Sequence, residues 1–312
     1  MDIANVHPEI RQSVRRIPPL PFYNRAFVWL LKFLARILPK RKHLKGVTID
    51  DRTIGNAGVR IYVPTGGLSG AGLLWIHGGG LLIGRADQDD RLCVDYARQL
   101  GLVVVSVEYR LAPEHPFPAA IDDCFEAWQW LLAHAADWGV DSNRLAIAGQ
   151  SAGGGLAASL AQRILDAGGI QPAAQTLYCP MLDDRTAVDE TLDGIKHRIW
   201  NNRSNRAGWS AYLGQRFGSA DVPRYAVPAR RENLAGLAPA WIGVGDIDLF
   251  YAEDSQYAER LAQQGVEIRF HAVPMAPHAF ETFAPAATLS QDFFASNYEF
   301  LRQKLGIQPS AR

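Results

Sequence analysis

Hydrophobic positions change their period along the chain, and each change marks a new kind of element. Within residues 1–45 no strand pattern occurs. Phe27, Leu30, Leu31, Leu34, Ile37 and Leu38 recur at helical spacing on one face, with Arg25, Lys32 and Arg36 opposite. Trp29 and Phe33 fall between the two faces and widen the apolar stripe. The spacing predicts a helix packed by that stripe onto the main body. A helix lying on a membrane surface, through residues 27–38, is the alternative. From Val47 the period drops to two: Val59, Ile61 and Val63 alternate with polar neighbours after the turn Gly55-Asn56-Ala57-Gly58. That pattern predicts an antiparallel hairpin with one solvated face.

Short apolar runs follow: Gly72 to His77, Leu102 to Val107, Arg144 to Ala148, Ala174 to Cys179 and Pro239 to Val244. Helical stripes lie among them, such as Ile121, Cys124, Trp128, Leu131 and Ala135, and near the end Phe294, Tyr298, Leu301 and Leu305. Buried strands alternating with amphipathic helices predict an α/β fold, a mostly parallel central sheet with helices on both faces. Residues from about 185 to 220 break the rhythm; they are polar, with Trp200, Trp209 and Tyr212 scattered through them. Insertions above a sheet commonly form lids. The expectation is one domain, 1–312, with a helical cap formed by residues 1–45 and about 185–220.

Composition narrows the class. Lys+Arg and Asp+Glu are 32 each among 312 residues, so the basic excess of a nucleic-acid binder is missing. Hydrophobic residues are 48% and charged residues 21%, ordinary for a globular protein. Cys93, Cys124 and Cys179 have no metal-binding spacing and are odd in number, which fits a reducing, cytoplasmic compartment. Asp2, Glu9 and a cluster of prolines do not read as a secretory signal. The stretch from Phe27 to Leu38 falls short of the roughly 20 apolar residues that span a bilayer.

The chemistry begins at Gly149-Gln150-Ser151-Ala152-Gly153, which follows an apolar run and precedes the small-residue helix Leu156 to Leu165. A serine at so sharp a strand-to-helix turn presents its hydroxyl above the sheet, and small neighbours let the two backbones approach. His77-Gly78-Gly79-Gly80 ends an earlier strand. Consecutive glycines can turn their N–H groups toward a developing oxyanion, so Gly78, Gly79 and Ala152 form the expected donor set. No Lys-Ser or Lys-Thr follows to make a phosphate cradle. His77 precedes the serine and sits at a strand end, where bracing the loop is the expected role. A hydroxyl nucleophile needs a base and an orienting acid. Gly245-Asp246-Ile247-Asp248 offers two carboxylates beyond a strand, and Pro277-His278-Ala279-Phe280 offers the base in a loop after the strand Val266 to Val273. His271 lies inside that strand and reads as a sheet residue.

These residues resemble the hormone-sensitive-lipase-like branch of the α/β-hydrolases, a family of carboxylesterases and lipases. The resemblance rests on the HGGG at 77–80, on Tyr109-Arg110-Leu111-Ala112-Pro113-Glu114-His115-Pro116-Phe117-Pro118-Ala119-Ala120, and on the GQSAGG at 149–154. It implies the α/β-hydrolase fold and the assignment of Asp248, with Asp246 two positions earlier, as the acid. The chain departs from the family at Gln150, where Asp or Thr is commoner.

The combined reading is a serine carboxylesterase acting on short- to medium-chain esters, best at about four to eight acyl carbons in a lid-bounded pocket. Ser151 is the nucleophile, His278 the base and Asp248 the acid. No cofactor and no metal is called for, and the expected partner is a small ester. The family resemblance also implies a homodimer through Val266 to Val273. Hydrolysis of lactones, amides or carbamates and a non-catalytic receptor are the rival readings.

Overall fold

The period-two and apolar runs assemble into one eight-stranded sheet in the computed structural model, which describes residues 1–308. Its strands are β1 (Val47–Ile54), β2 (Ala57–Pro64), β3 (Gly72–Ile76), β4 (Val103–Glu108), β5 (Leu145–Gln150), β6 (Ala174–Tyr178), β7 (Ala240–Gly245) and β8 (Ile268–Val273). They lie in the order β1-β2-β4-β3-β5-β6-β7-β8. β1 and β2 form the expected hairpin, registered from Ile54↔Ala57 to Val47↔Pro64, and β2 runs antiparallel to β4. From β4 to β8 every pairing is parallel.

Parallel neighbours need crossover connections, and helices supply them on both faces. Nine are found among the described residues: α1 (Pro8–Arg16), α2 (Arg25–Ile37), α3 (Asp90–Leu100), α4 (Ala119–His134), α5 (Ala152–Ala167), α6 (Asn202–Leu213), α7 (Tyr251–Gln263), α8 (Phe280–Phe283) and α9 (Thr288–Leu305). Leu74, Ile76, Val105 and Ile147 point into a core shared with α4, α5 and α7. Their neighbours Leu73, Trp75, Val104 and Ala146 point into a second core with α1, α3 and α9. The strands read as unbroken apolar runs because alternate residues serve different cores. The parallel strands thereby hold their C-terminal ends, where ligands bind in open α/β sheets, in fixed relative positions.

Two expectations are corrected. The hairpin is expected to have a solvated face, and β1 is exposed at Thr48 and from Asp50 to Thr53, but in β2 Arg60 and Tyr62 are fully buried. Asp90 of α3 accepts from Arg60 Nε at 2.9 Å and from the Tyr62 hydroxyl at 2.7 Å, so the inward polar groups are satisfied. The helix α2 forms where the spacing placed it, but its orientation differs. Leu30, Leu34, Ile37 and Leu38, expected to face inward, are exposed, while Val28 is buried and Lys32 is largely covered. The cause is polar anchoring: Lys32 Nζ donates to the Ala112 carbonyl at 2.7 Å and pairs with Glu114.

Candidate active site

Ser151 occupies the turn between β5 and α5 with φ 54° and ψ −121°, a region few side chains enter. The turn is held by Ser151 N–H donating to the Tyr178 carbonyl at 2.8 Å and Met181 N–H donating to the Ser151 carbonyl at 2.9 Å. The glycines flanking it are demanded by space. A Cβ at Gly149 would lie 2.2 Å from the Gly153 carbonyl oxygen, and one at Gly153 would lie 2.1 Å from that of Ile76. The sharp turn presses the start of α5 against the ends of β3 and β5.

His278 Nε2 stands 2.9 Å from Ser151 Oγ, and its Nδ1 stands 2.8 Å from Asp248 Oδ2. A carboxylate accepts only, so Nδ1 carries the proton and Nε2 is left to accept from the serine hydroxyl. Asp248 Oδ1 accepts from Phe250 N–H at 3.0 Å, which fixes the carboxylate plane. All three residues are buried: Ser151 is 7%, Asp248 6% and His278 4% exposed. Asp246 is exposed and does something else. Its Oδ1 accepts from Met275 N–H at 2.6 Å, tying the β7 turn to the segment that leads into His278. His271 packs against Trp241 and Phe293 on the sheet, away from the serine's hydrogen-bond partners.

The glycine loop after β3 lies against the nucleophile: a Cβ at Gly78 would sit 3.3 Å from Ser151 Cβ. Gly79 has φ +121°, which directs the backbone as few other residues could. His77 is fully buried behind this loop, its Nδ1–H donating to the Gly78 carbonyl at 2.8 Å and its ring stacked on Tyr109 at 4.2 Å. The Tyr109 hydroxyl in turn donates to the His77 carbonyl at 2.8 Å. The run from Tyr109 to Ala120 continues the bracing. Ala112 N–H donates to the Leu81 carbonyl at 3.0 Å, Phe117 N–H to that of Tyr212 in α6 at 2.7 Å, and Arg110 grips buried Asp123. From the insertion, Trp200 covers Gly80 so closely that a Cβ there would meet the indole at 2.0 Å.

Sequence reasoning singled out Gln150 without its partners and missed Glu281 and Glu253. Gln150 Nε2 donates to Glu281 Oε1 at 2.6 Å and to Thr282 Oγ1 at 2.9 Å, fastening the nucleophile's turn to the histidine's helix α8. Burial pushes the Glu281 carboxyl up to about 7, against the pull of Gln150's hydrogen bond and His278's charge. Glu253 accepts from the N–H groups of Leu182 and Asp183 at 2.7 and 3.2 Å and so fixes the loop after β6. The bonds of Gln150 and of Glu253 join residues 131 and about 70 positions apart, a separation that no local sequence pattern signals. Cys179, Asp248 and His278 offer ligand atoms within 4.8 Å of one another. The carboxylate and imidazole are already joined there, and burial pushes the Cys179 thiol up. A protonated thiol is a poor metal ligand, so this set does not suit a metal ion.

A fold framed by parallel strands, with a serine on a strained elbow and a histidine–carboxylate pair beyond β7 and β8, defines a class of hydrolase. The family described as the α/β hydrolase fold matches residues 73–282, and the chain belongs to it. Esterase LipI of Mycobacterium tuberculosis is 37% identical over 247 residues, 76% of each chain. A bacterial heroin esterase superposes at TM-score 0.86 with 32% identity, over 97% of this chain and 99% of its own. An esterase from the bacterial hormone-sensitive lipase family gives TM-score 0.78 at 26% identity, over 96% and 99%. The family resemblance drawn from HGGG and GQSAGG is thereby borne out.

Proposed function

We propose that this chain is a serine carboxylesterase in which Ser151, His278 and Asp248 act as nucleophile, base and orienting acid. The observation that carries the reading is the continuous chain of hydrogen bonds from Asp248 through His278 to Ser151, at 2.8 and 2.9 Å. Ser151 Oγ attacks the ester carbonyl as His278 Nε2 takes its proton, and Asp248 stabilises the imidazolium. The N–H groups of Gly78, Gly79 and Ala152 receive the oxyanion, the last at the positive end of α5. His278 returns the proton to the departing alcohol; water then attacks the acyl-enzyme along the same path. Each of these steps uses a group of the chain itself. Residues 1–45 and about 185–220 serve as the cap, and the free edge of β8 is where a second copy would pair. The buried free thiols support a reducing compartment.

Beside Ala152 lies a cavity of about 10 Å³ bounded by Leu81, Leu156, Met181, Trp209 and Tyr212. Such a space holds about one water-sized group. A space of that size holds no four-carbon acyl chain, so on this reading every acyl group of the expected range enters with movement of the cap.

The decisive experiment is Ser151→Ala, assayed on a p-nitrophenyl ester series and by covalent labelling with a fluorophosphonate. The expected result is a rate loss of at least about 10³-fold and no labelling, with thermal stability close to the parent. Activity within tenfold of the parent, or labelling at another residue, overturns the assignment.

A further inference from the structure

Helix α2 turns its apolar side to solvent. Trp29, Phe33 and Ile37 are 63, 45 and 59% exposed, and Leu30, Leu34 and Leu38 are exposed beside them. Trp29 and Phe33 stack with their centroids 5.6 Å apart and their planes 9° from parallel. The opposite side carries the anchors to the body: buried Val28, Lys32 on the Ala112 carbonyl, and Arg85 donating to the carbonyls of Ala35 and Leu38. Singly exposed apolar residues are ordinary on a protein surface, but a contiguous helical face of six is not.

Charge says what covers it. From Ile10 to Ile49 the sequence has ten Lys or Arg residues and no Asp or Glu, in a chain that balances 32 of each sign. Arg25 and Arg36 are exposed along one edge of the apolar face, and Arg41, Lys42 and Lys45 are exposed just beyond the helix end. A second copy would bring the same positive segment against this one, so the pairing of like faces is disfavoured. An apolar face rich in aromatics with a basic margin matches an interfacial helix on anionic lipid.

We propose that α2 seats the protein on an anionic bilayer surface. Trp29, Phe33 and Ile37 enter the boundary between headgroups and acyl chains, and Arg25, Arg36, Arg41 and Lys42 meet lipid phosphates. The long Arg and Lys stems lie along the apolar surface while their charges reach the headgroups. A groove of about 660 Å³, lined by Phe22, Val28, Trp29, Leu82, Pro113 and Ala211, lies between this helix and α6 and reaches Leu82, two residues past the glycine loop. The inference stands on the surface alone and does not depend on the esterase reading.

Co-sedimentation of the full chain with vesicles tests it. Vesicles of phosphatidylcholine with an equal part of phosphatidylglycerol are compared with pure phosphatidylcholine, at low and high salt. The protein is expected to partition at least about tenfold better onto the anionic vesicles at low salt and to lose that advantage at high salt. Combined Trp29→Ser, Phe33→Ser and Ile37→Ser is expected to cut the partitioning by about tenfold or more, as is combined Arg36→Gln, Arg41→Gln and Lys42→Gln. Circular dichroism melts of both variants check that the fold survives. Absence of binding to anionic vesicles at low salt overturns the proposal. So does undiminished binding by the serine variant. A dimer in sedimentation velocity that the serine variant dissociates would assign the face to a second copy and overturn it equally.

Discussion

Asp246 and Asp248 stand two residues apart and both brace the histidine's loop, yet one is exposed and bonds a backbone amide while the other is buried against the imidazole. Asp248→Asn leaves the shape and removes the charge that steadies imidazolium, a change worth roughly 10⁴ in rate in serine proteases. Asp246→Asn still accepts from Met275 and is expected to stay within about tenfold of the parent, since a single neutral hydrogen bond contributes about 1 kcal/mol. Values of kcat/KM on a soluble ester check both, and a more severe Asp246 variant would reverse the assignment. Glu281 offers a second test. Burial raises its carboxyl from the ordinary 4.5 to about 7. Between those values the folded chain keeps a proton that the unfolded chain has lost, so stability falls as pH rises through that window and levels off above it. Glu281→Gln keeps the acceptor for Gln150 and cannot ionise. Relative to the parent it is expected to gain on the order of 2–3 kcal/mol in urea unfolding between about pH 5 and about pH 8. A constant difference across that range would show Glu281 ionised at both ends. The pair also explains Gln150: an aspartate there would face Glu281 as a second carboxyl, whereas the amide donates to it.

At the scale of elements, what was legible is what each segment encodes by itself. β3, β5 and β7 announced themselves because both their faces are buried in apolar cores. The stripe Ile121, Cys124, Trp128, Leu131 and Ala135 is buried as its spacing required. Chain order beyond the serine points to His278 and to a carboxylate at Asp246 or Asp248, and the family resemblance selects Asp248. What escaped was set by distant partners. The attachment of α2 depends on Ala112 and Glu114, some eighty residues away, and periodicity alone cannot say which side of a helix is anchored. The residues of α6 carry no apolar stripe that would give its bounds, because the face it buries holds Asn202, Ser204 and Asn205 beside Trp209 and Tyr212. The GxSxG spacing was readable, and the structure supplies its reason. Gly153→Ala would drive a Cβ into the carbonyls of Ile76 and His77, at 2.1 and 2.4 Å, and α5 cannot retreat without carrying Ser151 along. A cost above about 4 kcal/mol is expected, with activity lost. Gly194→Ala, whose Cβ would meet nothing within 4 Å, should stay within about 0.5 kcal/mol. Urea midpoints of the two variants decide the matter, and equal midpoints would refute the crowding argument.

Across the whole molecule, three parts far apart in sequence close the site together. Trp200 from the insertion lies 5.4 Å from Phe22 of the N-terminal segment, centroid to centroid, and bears directly on Gly80 of the glycine loop. The Met1 ammonium donates to the Lys196 carbonyl at 3.0 Å, and Phe117 packs edge-on against Tyr212 of α6 at 5.8 Å. No helix among the described residues is long and apolar enough to cross a membrane. Ser151 and His278 are almost fully covered, and opening of this junction is the expected route by which a larger substrate reaches the hydroxyl. Trp200→Ala removes the side chain that joins Phe22 to Gly80. The substitution is expected to lower stability by about 3–5 kcal/mol, as large-to-small changes in packed sites do. It should also speed labelling of Ser151 by a long-chain fluorophosphonate by about tenfold, while leaving a small sulfonyl fluoride nearly unaffected, because only the large reagent waits for the cap. The preferred acyl length should shift upward in the p-nitrophenyl series. Equal acceleration of both reagents, or an unchanged length preference, would mean that Trp200 supports the loop without gating it.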